Sequence, residues 1–327
     1  NGLGTNDASQ NSPDHASIAV PLNAERIEIL RGPATLLYGS GAIGGVVNVI
    51  DNRIPEKVPE TGGSVEQKYN TATTSRQTAL KFEGGASKFA YHFDGYFQEN
   101  DDINISGNAV DATRAQVSQS GLTVDANTNG FVNNSAAHNT SLTVGGSFVG
   151  DSGFFGVSGN MVEMDYQIPT RGEAGGEASF INMEQRKLDV KGGLNNLDGF
   201  FKKINTKLSL TDYEHNEAHE ALFQNDTFEG RVDATHKPIF GMDGVMGFQM
   251  ISSYFSALEV EEGEYINPKT RTNSYAAFLQ ESFNLGSNNV AQFGLRIEHD
   301  TVDSQLRANP DQSFTPVSVS VSDLWTI

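Results

Sequence analysis

The densest group of metal-binding side chains in this sequence is Tyr213-Glu214-His215-Asn216-Glu217-Ala218-His219-Glu220. Imidazole and carboxylate together suit zinc and related divalent ions, which take nitrogen and oxygen donors at about 2.0–2.2 Å. The spacing excludes a zinc protease. Its helical pattern, His-Glu-x-x-His, would need glutamate where Asn216 stands, and the inverted pattern would need it in place of Ala218. The plainer reading of these residues is a solvated acidic stretch with incidental histidines. A second pair, Asp14-His15, lies far away in sequence, and by itself reads as polar loop. No Ser/His/Asp arrangement or close carboxylate pair can be drawn from spacing, so no catalytic residue is assigned, the chain is not read as an enzyme, and no cofactor is required.

The elements that must position these residues have two grammars. From about Gly62 onward the period is two. Phe89, Tyr91, Phe93, Gly95 and Phe97 alternate with Ala90, His92, Asp94 and Tyr96, and Phe228, Gly230, Val232 and Ala234 alternate with Glu229, Arg231, Asp233 and Thr235. Ala291, Phe293, Leu295 and Ile297 likewise alternate with Gln292, Gly294, Arg296 and Glu298. Successive strand side chains point to opposite faces, so each run has one greasy face and one charged face. Short turns such as Gly84-Gly85-Ala86-Ser87 and Gly150-Asp151-Ser152-Gly153 alternate with long polar stretches at 100–139, 165–183, 214–226, 259–272 and 301–315. Short turns on one side and long loops on the other are the pattern of an outer-membrane barrel, and about twelve antiparallel strands are expected in one meander. Phe89, Phe93, Val232, Phe293 and Leu295 should face lipid, with Asp94, Arg231, Asp233, Arg296 and Glu298 in the lumen. His92, His236 and His299 read as lumen or interfacial residues, and Phe97, Tyr213, Tyr254 and Phe283 as an aromatic girdle. The cluster around His215 then falls where the seventh strand enters its loop.

Residues 1–57 read differently. Ala24 to Leu30 form a short alternating strand, Arg31-Gly32-Pro33 breaks it, and Ala34 to Tyr38 form a short helix that Gly39 and Gly41 stop. Gly44 to Ile50 are a second strand. A glycine-rich phosphate loop is excluded, because Gly39-Ser40-Gly41 follows a helix instead of opening one and no Lys-Ser/Thr pair follows. The continuous run from Ile27 to Val49, with Glu28, Arg31, Gly32, Pro33, Tyr38, Gly39, Gly44, Gly45 and Asn48 as its signature, closely resembles the closing segment of the TonB-dependent receptor plug.

That resemblance implies an all-β chain: the C-terminal part of a small α+β plug over 1–57, then the N-terminal half, 58–327, of a transmembrane barrel of about 22 strands. It implies a cell outer membrane protein for active uptake of a scarce metal nutrient. The TonB energy-transducing complex would be its partner, through a segment preceding Asn1. Asp14-His15 ahead of the signature, together with Asp212 to His215, resembles the zinc-uptake branch of these receptors. The carry-over makes Asp14 and His15 plug ligands, with His215 and Glu217 as candidates from the barrel mouth and zinc as the transported substrate; His219 crowds the same mouth and joins the candidate set. The stretch 166–177 lacks the histidines that this branch usually carries in its third loop. A haem or ferric-siderophore receptor has the same architecture, and a passive porin or adhesin would lack the plug signature.

Composition agrees with this frame. Lys and Arg total 22 against 41 Asp and Glu, a net charge of −19, which argues against nucleic acid as a partner. There is no cysteine, and no apolar run approaches the roughly 18 residues of a membrane helix, a fact that leaves a strand-built barrel open.

Overall fold

The computed structural model describes residues 1–7, 15–16, 18, 24–39, 41–42, 44–114, 127–169, 179–218, 220–286, 288–305 and 311–325. Near the N-terminus, β1 (Arg26–Leu30) and β2 (Val46–Ile50) pair antiparallel, from Arg26 opposite Ile50 to Leu30 opposite Val46. Between them the expected α-helix is instead a 3-10 helix, Gly32–Leu37, with the Thr35 hydroxyl donating to the Gly32 carbonyl. Six residues that begin at Gly32-Pro33 and stop before Gly39 are too few to repay an α-helical nucleus, and the tighter turn closes on fewer residues. The polar signature residues knit this unit together. The buried Asn48 amide donates to Glu28 (3.1 Å) and to the Tyr38 hydroxyl (3.3 Å), while its oxygen accepts from the Gly2 N–H.

The rest of the described chain is one antiparallel meander. Its passes are β3 (Gly62–Asn70), β4 (Ser75–Ala86), β5 (Phe89–Asn100), β8 (Ala137–Val149), β9 (Gly153–Ile168) and β10 (Ser179–Asn195). They continue with β11 (Phe201–Glu217), β12 (Ala221–His236), β13 (Met242–Glu259), β14 (Tyr265–Asn284) and β15 (Asn289–Ser304). The twelfth pass is split into β16 (Gln312–Phe314) and β17 (Val317–Trp325), both paired with β15. Pro316, which cannot donate to a ladder, stands at the break. The hairpin of β6 (Ile103–Asn108) and β7 (Asn129–Val132) leaves the meander between β5 and β8.

Several stretches expected as long loops are strand. The 214–226 stretch is ladder up to Glu217 and again from Ala221, with the Glu220 N–H donating back to the Glu217 carbonyl, and 259–272 holds only a turn before β14 begins at Tyr265. Polarity misled the reading. Beyond the hydrocarbon layer a strand needs no greasy face, so polar residues extend the ladder without the alternation that marks its middle.

The two faces are inverted relative to a soluble protein. Phe89, Phe93, Val232 and Phe293 are exposed on the outside, together with Leu142, Phe155, Leu210 and Phe248, and Leu295 is half-buried there. Asp94, Arg231, Arg296 and Glu298 are buried on the inside, and Asp233 is half-buried among them. Inside, their partner is the N-terminal unit. The 3-10 helix lies on β14, β15 and β17, and a Cβ at Gly294 would come within 2.9 Å of the Pro33 carbonyl. The Arg231 guanidinium donates to the Leu37 carbonyl and sits 4.5 Å from the Phe278 ring centroid. Arg53 is held between Asp51 (2.6 Å) and Asp189 of the wall (3.4 Å), and any side chain at Gly145 would run into the Arg53 carbonyl. Burial by itself would raise the Asp51 carboxyl, but the adjacent Arg53 overrides this and holds it below the usual carboxylate range.

Candidate metal centre

Tyr213, His215 and Glu217 sit two residues apart on β11, so the pleat turns all three inward. The β11–β12 ladder sets His215 opposite Phe223, whose ring stacks on the imidazole at 4.4 Å and 11°. The Tyr213 hydroxyl lies 2.9 Å from His215 Nδ1, which leaves Nε2 turned toward Glu217, 3.4 Å from Oε1. His215 is wholly buried, with its ring held by Phe223 on one face and by Tyr213 at Nδ1.

The N-terminal unit supplies the third group. Ile18 packs into a small apolar cluster with Val162, Ile181, Met183 and Tyr213, and the Ala16 N–H donates to the Tyr166 hydroxyl at 3.2 Å. These anchors bring His15 to the wall, with Nε2 2.7 Å from Glu217 Oε1 and its ring 4.7 Å from that of His215. One donor atom from each of His15, His215 and Glu217 falls within 4.8 Å of the others, across about 200 residues of sequence. Of the five residues the sequence nominated, these three come together. Asp14 and His219 lie outside the described residues.

Two nitrogens and one carboxylate are a donor set for a divalent ion, with a fourth position left for water or an incoming ligand. A hydroxyl on the far nitrogen is the kind of outer contact that orients a liganding imidazole. That contact is a correction to the sequence reading. Tyr213, expected in the outer girdle, is buried inside at 4% exposure, whereas Phe97, Tyr254 and Phe283 do face outward. Its parity with His215 and Glu217 was the signal that could have placed it. Of the other histidines, His92 points inward and pairs with Asp94 (2.7 Å), whereas His236, on the Val232 face of β12, pairs with Glu281 (2.9 Å) at the strand end.

A plug seated against the charged inner wall of an antiparallel meander with a greasy outer face is the architecture of a plugged outer-membrane barrel. The chain's fold and plug signature are like those of TonB-dependent outer-membrane receptors: residues 1–46 match the TonB-dependent receptor plug domain. Among curated proteins it is 35% identical over 111 residues to the ferric enterobactin receptor PirA of Pseudomonas aeruginosa, a match covering 31% of this chain and 15% of that one. It is 42% identical over 77 residues to a probable TonB-dependent siderophore receptor PirA of Acinetobacter baumannii, covering 23% of this chain and 9% of that one. Among solved structures the copper transporter OprC superposes with a TM-score of 0.78 at 15% identity, over 100% of this chain. This chain spans about half of that transporter's length, 52%.

Proposed function

We propose that the receptor this chain belongs to imports a metal nutrient across the outer membrane, with His15, His215 and Glu217 as the protein's hold on the metal. The observation that carries this is the meeting of a plug histidine with a barrel histidine and carboxylate, their donor atoms within 4.8 Å. Such a site joins the part that must move to the wall that stays, so binding there reports an occupied receptor to the plug. Zinc, the ion expected from the sequence, fits a histidine and carboxylate set, and copper fits nearly as well. Plug rearrangement would be driven by a TonB energy-transducing complex.

A second reading, import of a ferric siderophore, is supported by the siderophore receptors among the relatives, whose similarity lies in part of the chain. Titration of zinc, copper and a ferric catecholate into the complete detergent-purified receptor separates the two. The metal-site reading expects His15→Ala and His215→Ala each to weaken zinc or copper binding by about tenfold or more. Unchanged affinity for both ions in both variants would leave the trio as a hydrogen-bonded contact between plug and wall.

A further inference from the structure

The inner wall carries a row of like charges that a sheet does not ordinarily tolerate. Lys191 of β10 stands directly opposite Lys207 of β11, and Lys207 stands directly opposite Arg231 of β12. Like charges facing each other across a ladder are destabilising. Here three cations line up in a chain whose net charge is −19.

The row is offset from both sides, by Glu56 on the plug and by Asp233 on the wall, the leading negative charge beside both Lys207 and Arg231. The Glu56 carboxylate lies 2.6 Å from Lys191 Nζ and 3.9 Å from Lys203 Nζ. Arg231 has Asp233 at 3.1 Å, within its own strand, and otherwise leans on the Leu37 carbonyl of the plug. Lys207 has neither a hydrogen bond nor an ion pair among the described residues. Instead it faces a cavity of about 250 Å³ between plug and wall, lined also by Lys187 and Lys191. The acids bordering that cavity are engaged: Asp51 and Asp189 by Arg53, and Asp94 by His92. A space this size holds about eight waters or a single aromatic ring, not a whole metal chelate with several rings, so such cargo can reach the row only once the plug segment around Glu56 has left the wall.

We infer that the Lys191–Lys207–Arg231 row is a transit site for cargo of net negative charge, an anionic metal chelate, uncovered when the plug withdraws. The inference rests on the import reading and takes its second form, a metal carried in a chelate, over a bare zinc or copper ion. Three aligned ammonium and guanidinium groups repel a free divalent ion and concentrate an anion in a walled lumen, where low-dielectric walls focus the field. The metal therefore crosses the barrel with its chelator and is not passed along as a bare ion.

The test uses the complete receptor in energised cells, comparing initial import of an iron-55 ferric tris-catecholate with that of zinc-65 chloride. Lys207→Met should slow import of the catecholate by about tenfold, while affinity at the outer mouth and the thermal unfolding midpoint stay at wild-type values. Lys207→Arg, which keeps the charge, should import at close to the wild-type rate. Wild-type import by Lys207→Met overturns the inference, and so does an equal loss in Lys207→Met and Lys207→Arg, which would make shape and not charge the requirement. Wild-type receptor that accumulates zinc chloride but not the catecholate overturns it as well, and leaves the import reading standing. Failure of the import reading is separate: neither cargo accumulates in wild-type cells, and the transit site falls with it.

Discussion

His215 is held from three sides: Phe223 stacked on its ring, the Tyr213 hydroxyl at Nδ1, and Glu217 near Nε2. Of these the tyrosine touches no prospective metal, so its effect is separable. Tyr213→Phe should preserve the fold and weaken zinc or copper affinity by about tenfold, the usual effect of removing an outer contact from a liganding imidazole; calorimetry on the complete receptor checks it. Glu56 offers a pH test. Burial would raise its carboxyl, but Lys191, with Lys203 beyond it, reverses the sign and holds it below the usual carboxylate range. A carboxyl lowered in the folded state adds stability above its unfolded value, about 4.3, and loses it as pH falls through the lowered folded value. Glu56→Gln should therefore lower the unfolding midpoint at pH 7, and the gap from wild type should close as pH falls below about 4. At this scale His215 and Glu217 were legible from donor type and spacing. Tyr213 was not, because an aromatic residue near a strand end suits the membrane interface equally well, and parity along β11 was the deciding cue.

At the scale of elements, each strand is specified by its own alternation, which makes the outer face the place to perturb it. Val232, exposed on the outside of β12, should cost about 2–4 kcal/mol when changed to lysine if it lies near the bilayer midplane, and the inward-facing Thr235→Lys should cost less. Urea titration of the refolded receptor in lipid compares the two. The joint between plug and wall depends on missing side chains. Gly145→Leu would collide with the Arg53 carbonyl, so it should free the 51–56 segment while the ladder stays intact. Faster proteolysis within that segment, with unchanged strand content by circular dichroism, is the expected result. Strand length was the element-level error. The polar ends of β11, β12 and β14 carry no lipid-facing signature, and in water both a loop and a ladder satisfy a backbone.

At the scale of the molecule, the described sheet is a meander whose edge strands, β3 and β17, each pair on one side only. Unpaired edges cannot rest in hydrocarbon, where no water replaces the missing partners. Refolded by itself into detergent micelles, this chain should therefore elute as mixed oligomers on size-exclusion chromatography; a sharp monomer peak would refute the edge argument. What the sequence by itself determined was whatever is local: the period of two that makes strands with one greasy face, the Gly-Pro turn and glycine stops of the plug signature, and the donor types at His15, His215 and Glu217. Neighbouring residues settle such features through sterics and face alternation, with no reference to distant parts of the chain. Tertiary structure alone decided the meetings across long separations: His15 against Glu217, Glu56 against Lys191, and Lys207 opposite Arg231. Those depend on ladder register and on where the plug seats, and a one-residue slip in register would turn every one of these wall side chains to the lipid.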